Sequence, residues 1–179
     1  MGLFDYKNYI IDQRLLTLRH TLIIRNENEE ELGKAVSKIL SWMGKIEFFD
    51  NQGNAVGSVE GKFAARPSFK VIDQYGKYLA TVKATILTMH HDWWVEDPKG
   101  EKVLKVLGNI WGLEYRILDN SGLVIAEISK KLWSVREYYG IKINYDFDPF
   151  LVLSVVSAIS MQMQRQRSSR GGGGGHHGR

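Results

Sequence analysis

The stretch DPFLVLSVVSAISMQM, residues 148–163, is the longest apolar run in the chain, and where it is buried determines the architecture. Asp148 suits an N-cap and Pro149 the first helical position. Nothing from there to Gln164 breaks a helix. Phe150, Leu151, Val152, Leu153, Val155, Val156, Ala158, Ile159, Met161 and Met163 put apolar groups on every face, relieved by Ser154, Ser157 and Ser160. A helix apolar all round lies inside protein or inside lipid. Leaving such a set wet would forfeit on the order of 15–30 kcal/mol. Residues 149–164 span roughly 24 Å as a helix, short of a hydrocarbon core of about 30 Å. The expectation is a helix at the centre of a protein.

What surrounds it is written as a repeat. IEFFDNQGNAVGSVEGK (46–62), FKVIDQYGKYLATVK (69–83), WWVEDPKGEKVLKVLG (93–108) and YRILDNSGLVIAEISK (115–130) each place Asp-x-x-Gly between two apolar-rich runs. Asp50, Asp73, Asp97 and Asp119 are 23, 24 and 22 residues apart, and Gly53, Gly76, Gly100 and Gly122 follow three residues after each. Asp opens a type I turn by accepting a backbone N–H two residues on, and Gly supplies the positive φ that starts the returning strand. Tyr78, Ala80, Val82, Ala84 and Ile86 are expected on one face, with Thr81, Lys83 and Thr85 on the other. A second string, LLTLRH (15–20), ILTMHH (86–91) and LWSVRE (132–137), links hairpin to hairpin. HTLIIRNENEEELGKAVSKI (20–39) reads as a first hairpin whose turn is enlarged by the acidic insert NENEEEL. About twelve strands result, between Tyr9 and Tyr145, spaced as in a barrel or sandwich. A twelve-stranded barrel has a backbone diameter of roughly 24 Å, wide enough for one helix and a layer of side chains.

Composition bounds the function. The chain of 179 residues has 24 bases and 20 acids. Arg165, Arg167, Arg170 and Arg179 lie in a terminal stretch without acids, leaving 24 − 4 = 20 bases against 20 acids in residues 1–164. A neutral fold does not suit nucleic acid, which calls for positive charge on the domain itself. The absence of cysteine removes disulfides and thiolate metal sites and accords with a reducing, cytoplasmic setting. The opening MGLFDYKNYIIDQR matches neither a signal peptide nor a myristoylation pattern. No G-x-S-x-G, H-E-x-x-H or P-loop is found, so no catalytic residue is assigned and no enzyme or cofactor is expected.

The Asp-x-x-Gly hairpins, the LWSVRE-type linkers and the terminal helix together resemble the LURP-one-related family, within the tubby C-terminal-like superfamily. The resemblance covers about residues 9–164. It implies a closed barrel of twelve antiparallel strands around a central C-terminal helix. Its wider relatives include phosphoinositide-binding tubby proteins and phospholipid scramblases, and YGIKINYDFDPFLVLSVVSAI (139–159) looks like the scramblase segment before the terminal helix. The implied domain is 1–164, with its helix over 149–164, followed by a disordered Arg/Gly-rich tail at 165–179.

Several candidate sites follow. Arg19, Lys130, Lys131 and Arg136 near one barrel end would hold an anionic phospholipid or phosphoinositide headgroup, aided by the basic tail at a peripheral membrane surface. Asn144, Asp146 and Asp148 alternate like the first calcium ligands of an EF-hand, although Pro149 and Val155 stand where that loop needs Gly and Glu. His90, His91 and Asp92 are adjacent but do not converge as metal ligands. Trp93, Trp94, Trp111 and Trp133 belong to an interfacial belt or to barrel core and rim. The alternatives are a scramblase-like protein whose helix inserts into lipid, and a protein scaffold whose acidic insert meets a partner.

Overall fold

The computed structural model describes residues 2–12, 21–40, 43–62, 66–85, 92–132 and 138–171. Twelve strands form one antiparallel sheet: β1 Asn8–Asp12, β2 Thr21–Arg25, β3 Glu31–Leu40, β4 Met43–Asp50, β5 Ala55–Lys62, β6 Ser68–Asp73, β7 Tyr78–Thr85, β8 Asp92–Glu96, β9 Lys102–Asn109, β10 Glu114–Asp119, β11 Val124–Ser129 and β12 Tyr138–Ile143. Each pairs with its sequence neighbour, and β1 closes on β12 from Asn8↔Lys142 to Asp12↔Tyr138. Closure leaves no strand edge unpaired.

Helix α1 (Pro149–Gly171) fills the bore. Val152, Leu153, Val155, Val156, Ala158 and Ile159 are all at most 1% exposed, and the three serines are buried with them. The apolar run is the core of the barrel, ringed by inward residues such as Ile24, Phe48, Val59, Val82, Val95, Ile117 and Ile141. The helix runs on past Gln164 to Gly171, so the expected tail begins too early. Arg and Gln favour helix about as much as Leu does. Residues 172–179 lie outside those described.

The turns carry a second device. In every Asp-x-x-Gly hairpin the Asp N–H donates to the carbonyl four residues on, and the Gly N–H donates back to the Asp carbonyl. The glycines have φ of 87°, 81°, 85° and 90°. The register then slips by one residue, between Phe48/Phe49, Val71/Ile72, Val95/Glu96 and Ile117/Leu118. The bulged residues are Val56, Leu79, Val103 and Ile125, each six after its Asp, and all pack on the core. A bulge puts two neighbours on one face, so each hairpin adds an apolar plug at the helix N-terminal end of the bore.

Two expectations are corrected here. Tyr78 lies outside the barrel, not with Ala80: its hydroxyl meets Thr81 Oγ1 at 2.5 Å, and Lys70 stands over its ring. The bulge at Leu79 shifts the alternation by one. The first hairpin is not enlarged either. Asn26 stands for Asp, accepting from Asn28 and Glu30 N–H at 3.0 Å each. Glu29 takes the glycine place with φ 62°, and Leu32 is the bulged plug. The turn is the same length as the others; the Asn and Glu hide it.

Candidate functional site

The barrel has two unlike ends. The five hairpin turns and the crossing from β12 to α1 lie at one; the described parts of the other connections and the last turns of α1 lie at the opposite one. At the turn end, residues 26–30, 50–54, 73–77, 97–101, 119–123 and 144–148 hold ten acids (Glu27, Glu29, Glu30, Asp50, Asp73, Asp97, Glu101, Asp119, Asp146, Asp148) and two bases (Lys77, Lys99), a net 2 − 10 = −8. At the opposite end, the described connections 66–67, 110–113 and 130–132 and helix residues 164–167 hold Arg66, Lys130, Lys131, Arg165 and Arg167 and no acid, a net +5. A fold neutral in sum is thus polarised along its axis. The polarity also suits α1, whose positive N-terminal dipole lies among carboxylates and whose C-terminus lies among arginines.

The carboxylates of the turns are structural. Asp50 Oδ1 accepts from Gln52 and Asn54 N–H at 2.9 and 2.8 Å, and Asp119 Oδ1 from Ser121 and Leu123 N–H at 2.9 Å each. The Asn54 side-chain amide chiefly, then backbone N–H groups, hold the Asp50 carboxyl below the usual carboxylate range; for Asp119 the Ser121 hydroxyl leads. Asp73 and Asp97 accept in the same way. Beside them lies an open pocket of about 430 Å³ lined by Leu3, Phe4, Val56, Leu79 and Phe150 below and Asp5, Asp50, Asp73 and Asp148 around.

The calcium-like trio divides its work. Asn144 ties β12 to β11, its N–H donating to Ile125 O at 2.8 Å and Nδ2 to Val124 O at 3.1 Å. Asp146 is fully exposed, 3.9 Å from Lys7 Nζ. Asp148 caps α1, Oδ1 accepting from Phe150 N–H at 2.9 Å. Among the described residues no group of three or more His, Asp or Glu converges on a point where a metal could sit.

Lys130 and Lys131 form a single 3-10 turn with Leu132 after β11, and both are exposed. Glu114 fixes that turn: Oε1 accepts from Lys130 N–H at 3.1 Å and Oε2 from Ser129 Oγ at 2.7 Å, while Ser129 Oγ accepts from Lys131 N–H at 3.0 Å. The carboxylate is spent on backbone and hydroxyl donors, which leaves the two ammonium groups facing solvent. Next to them, in the β9–β10 loop, the Trp111 ring lies 6.0 Å from the Arg167 guanidinium, within cation–π range. Sequence reading named the lysines but not Glu114, which reaches them through the β10–β11 register, nor the Trp111–Arg167 pair, which α1 brings together. Arg19, Arg136, His90, His91 and Trp133 lie outside the described residues. Trp93 is in the bore, stacked on Phe69 at 6.4 Å, and Trp94 is on the outer wall, donating to Glu96 beneath Lys102. These two tryptophans therefore form no belt.

Inside the barrel a polar layer flanks the lower half of α1. The hydroxyls of Tyr115 and Tyr139, Ser160 Oγ and Gln162 Oε1 are buried without a hydrogen-bond partner. Tyr139 faces Ser160, though not in bonding geometry. Burial pushes both phenols well above their ordinary value of 10.0, and the neighbouring Tyr139 adds charge repulsion at Tyr115.

Comparison with known proteins agrees with this architecture. The family model described as LURP-one-related matches residues 7–160. An X-ray structure of an Arabidopsis thaliana protein superposes with a TM-score of 0.61 at 15% identity, over 89% of this chain and 93% of that one. No curated protein matches.

Proposed function

The chain belongs to the LURP-one-related family, and on that footing we propose that it is a non-enzymatic binding module for anionic phospholipid headgroups, peripheral to a cytoplasmic membrane surface. The observation that carries the reading is the exposed Lys130–Lys131 pair on a turn locked by Glu114, at an end of the barrel whose described connections hold no acid. Two ammonium groups that form no ion pair among the described residues offer a phosphate charge-assisted hydrogen bonds. Each basic residue near an anionic surface adds on the order of 1 kcal/mol.

The scramblase-like alternative asks α1 to leave the bore. That would expose its buried side chains, and no helix of the described residues is long and apolar enough to cross a membrane. The scaffold alternative keeps its acidic residues, Glu27, Glu29, Glu30 and Glu31, but on a turn of the same length as its sisters and not on an enlarged insert. Flotation of the full chain with phosphatidylcholine vesicles, with and without phosphatidylserine, tests the proposal. Recovery with the anionic vesicles alone, reversed by salt, is expected. A chain that stays at the bottom with both would reject it.

A further inference from the structure

We infer that the barrel docks on the anionic surface end-on, with the β9–β10 loop, the Lys130–Leu132 turn and the last turns of α1 facing lipid and the five hairpin turns facing away. This rests on the headgroup reading and adds to it an orientation and a wider contact face.

Three independent features point the same way. The first is the axial charge, net −8 over the connections of the turn end and net +5 over those of the other. A negatively charged plane attracts one end and repels the other, so the field aligns the barrel before contact. Side-on docking would bring the turn carboxylates within reach of the lipid phosphates and lose that advantage. The second is the chemistry of the contact face. Leu132, 37% exposed, follows the two lysines and folds back over Gly140 at the outer rim of β12, and the half-buried Trp111 ring stands beside Arg167. An aromatic ring and an aliphatic side chain next to cations is what a lipid interface accommodates, ring and alkyl group at the headgroup boundary and charges among phosphates. The third is rigidity. Glu114 bridges the lysine turn to β10, and the helix carrying Arg167 is anchored along the bore, so the cations are held in place before binding.

The chain has no cysteine, so single-cysteine labelling is clean. An environment-sensitive fluorophore would be placed through Leu132→Cys at the basic end or Lys99→Cys at the turn end, each in the full chain, with phosphatidylserine-containing vesicles. End-on docking requires brominated lipid to quench the probe at 132 and to spare the probe at 99. A paired charge test needs no label. Lys130→Glu with Lys131→Glu should weaken vesicle partition by about thirtyfold or more, since two cations at the lipid surface are replaced by anions. Lys77→Glu with Lys99→Glu, equal in charge but at the turn end, should change it less than about threefold. Flotation with equal quenching at both sites, or equal weakening by both charge pairs, overturns the orientation while the headgroup reading stands. No flotation of the unsubstituted chain overturns both.

Discussion

Gly57→Ala probes the seating of α1 at its most crowded point. Gly57 on β5 has φ 154°, and a Cβ there would lie 2.3 Å from Cζ of Phe150, 2.8 Å from its Cε2 and 3.0 Å from the Ile72 carbonyl. Phe150 begins the helix and cannot swing away, since its ring packs at 5.1 Å on Phe4 and at 5.4 Å, edge-on, against Phe48. Overpacking of this kind costs about 1–3 kcal/mol, and the positive φ adds about 1–2 kcal/mol for a residue with a Cβ. The expected loss is roughly 2–5 kcal/mol by urea denaturation, or about 5–20 °C in Tm for a domain of this size. Phe150→Leu alone should cost about 1–2 kcal/mol. It removes the clashing ring but not the backbone strain, so the double variant should be at most about 1 kcal/mol less stable than Gly57→Ala, with a coupling of about 1–3 kcal/mol. Additivity of the two losses to within about 0.5 kcal/mol would refute the seating of the helix N-terminus against this glycine.

Other outcomes are equally definite. Glu29→Gly should raise stability by about 0.5–1 kcal/mol, because Glu29 holds φ 62° where the sister turns have glycine; a lower midpoint in urea would refute the assigned turn. Tyr115 and Tyr139 are held neutral by burial, with phenol pKa values raised by the fold. The stability they confer is whole below the unfolded value near 10 and is lost as pH rises above it, because the unfolded rings then release protons that the folded ones keep. Replacing both with Phe should flatten the alkaline fall of Tm above about pH 10, and an unchanged fall would place its cause elsewhere. Truncation after Asp148 removes the contents of the bore and should leave a chain that binds hydrophobic dye and unfolds without a sharp transition; cooperative unfolding of the fragment would contradict the core assignment.

The parts of this fold visible in the sequence are those with local causes. Asp at the start and Gly at the fourth place of a turn are demanded by bonds within five residues, so four hairpins could be located from the string alone. The apolar run at 148–163 could be placed by length and by the absence of a polar face. Long-range consequences were not visible. The bulge after each turn belongs to the pairing of two strands, although its trace, an apolar residue six after each Asp, stands at Val56, Leu79, Val103 and Ile125. Asn26 and Glu29 concealed a fifth turn because they perform the same backbone roles with different side chains. At the candidate site Lys130 and Lys131 were legible as exposed charge after a strand. Their bracing by Glu114 belongs to the pairing of β10 with β11, and the proximity of Trp111 to Arg167 required the path of α1.

Everything proposed for the barrel requires α1 to remain its core, bound to lipid or free. Hydrogen exchange of the full chain, alone and on anionic vesicles, is the sharpest check. The amides of residues 152–163 should exchange only through global unfolding in both states, with any slowing on vesicles confined to residues near 110–113 and 130–132 and the last turns of the helix. Loss of protection in 152–163 on vesicle binding would mean that the helix leaves the bore, and neither a permanent core nor end-on docking of an intact barrel would survive that result.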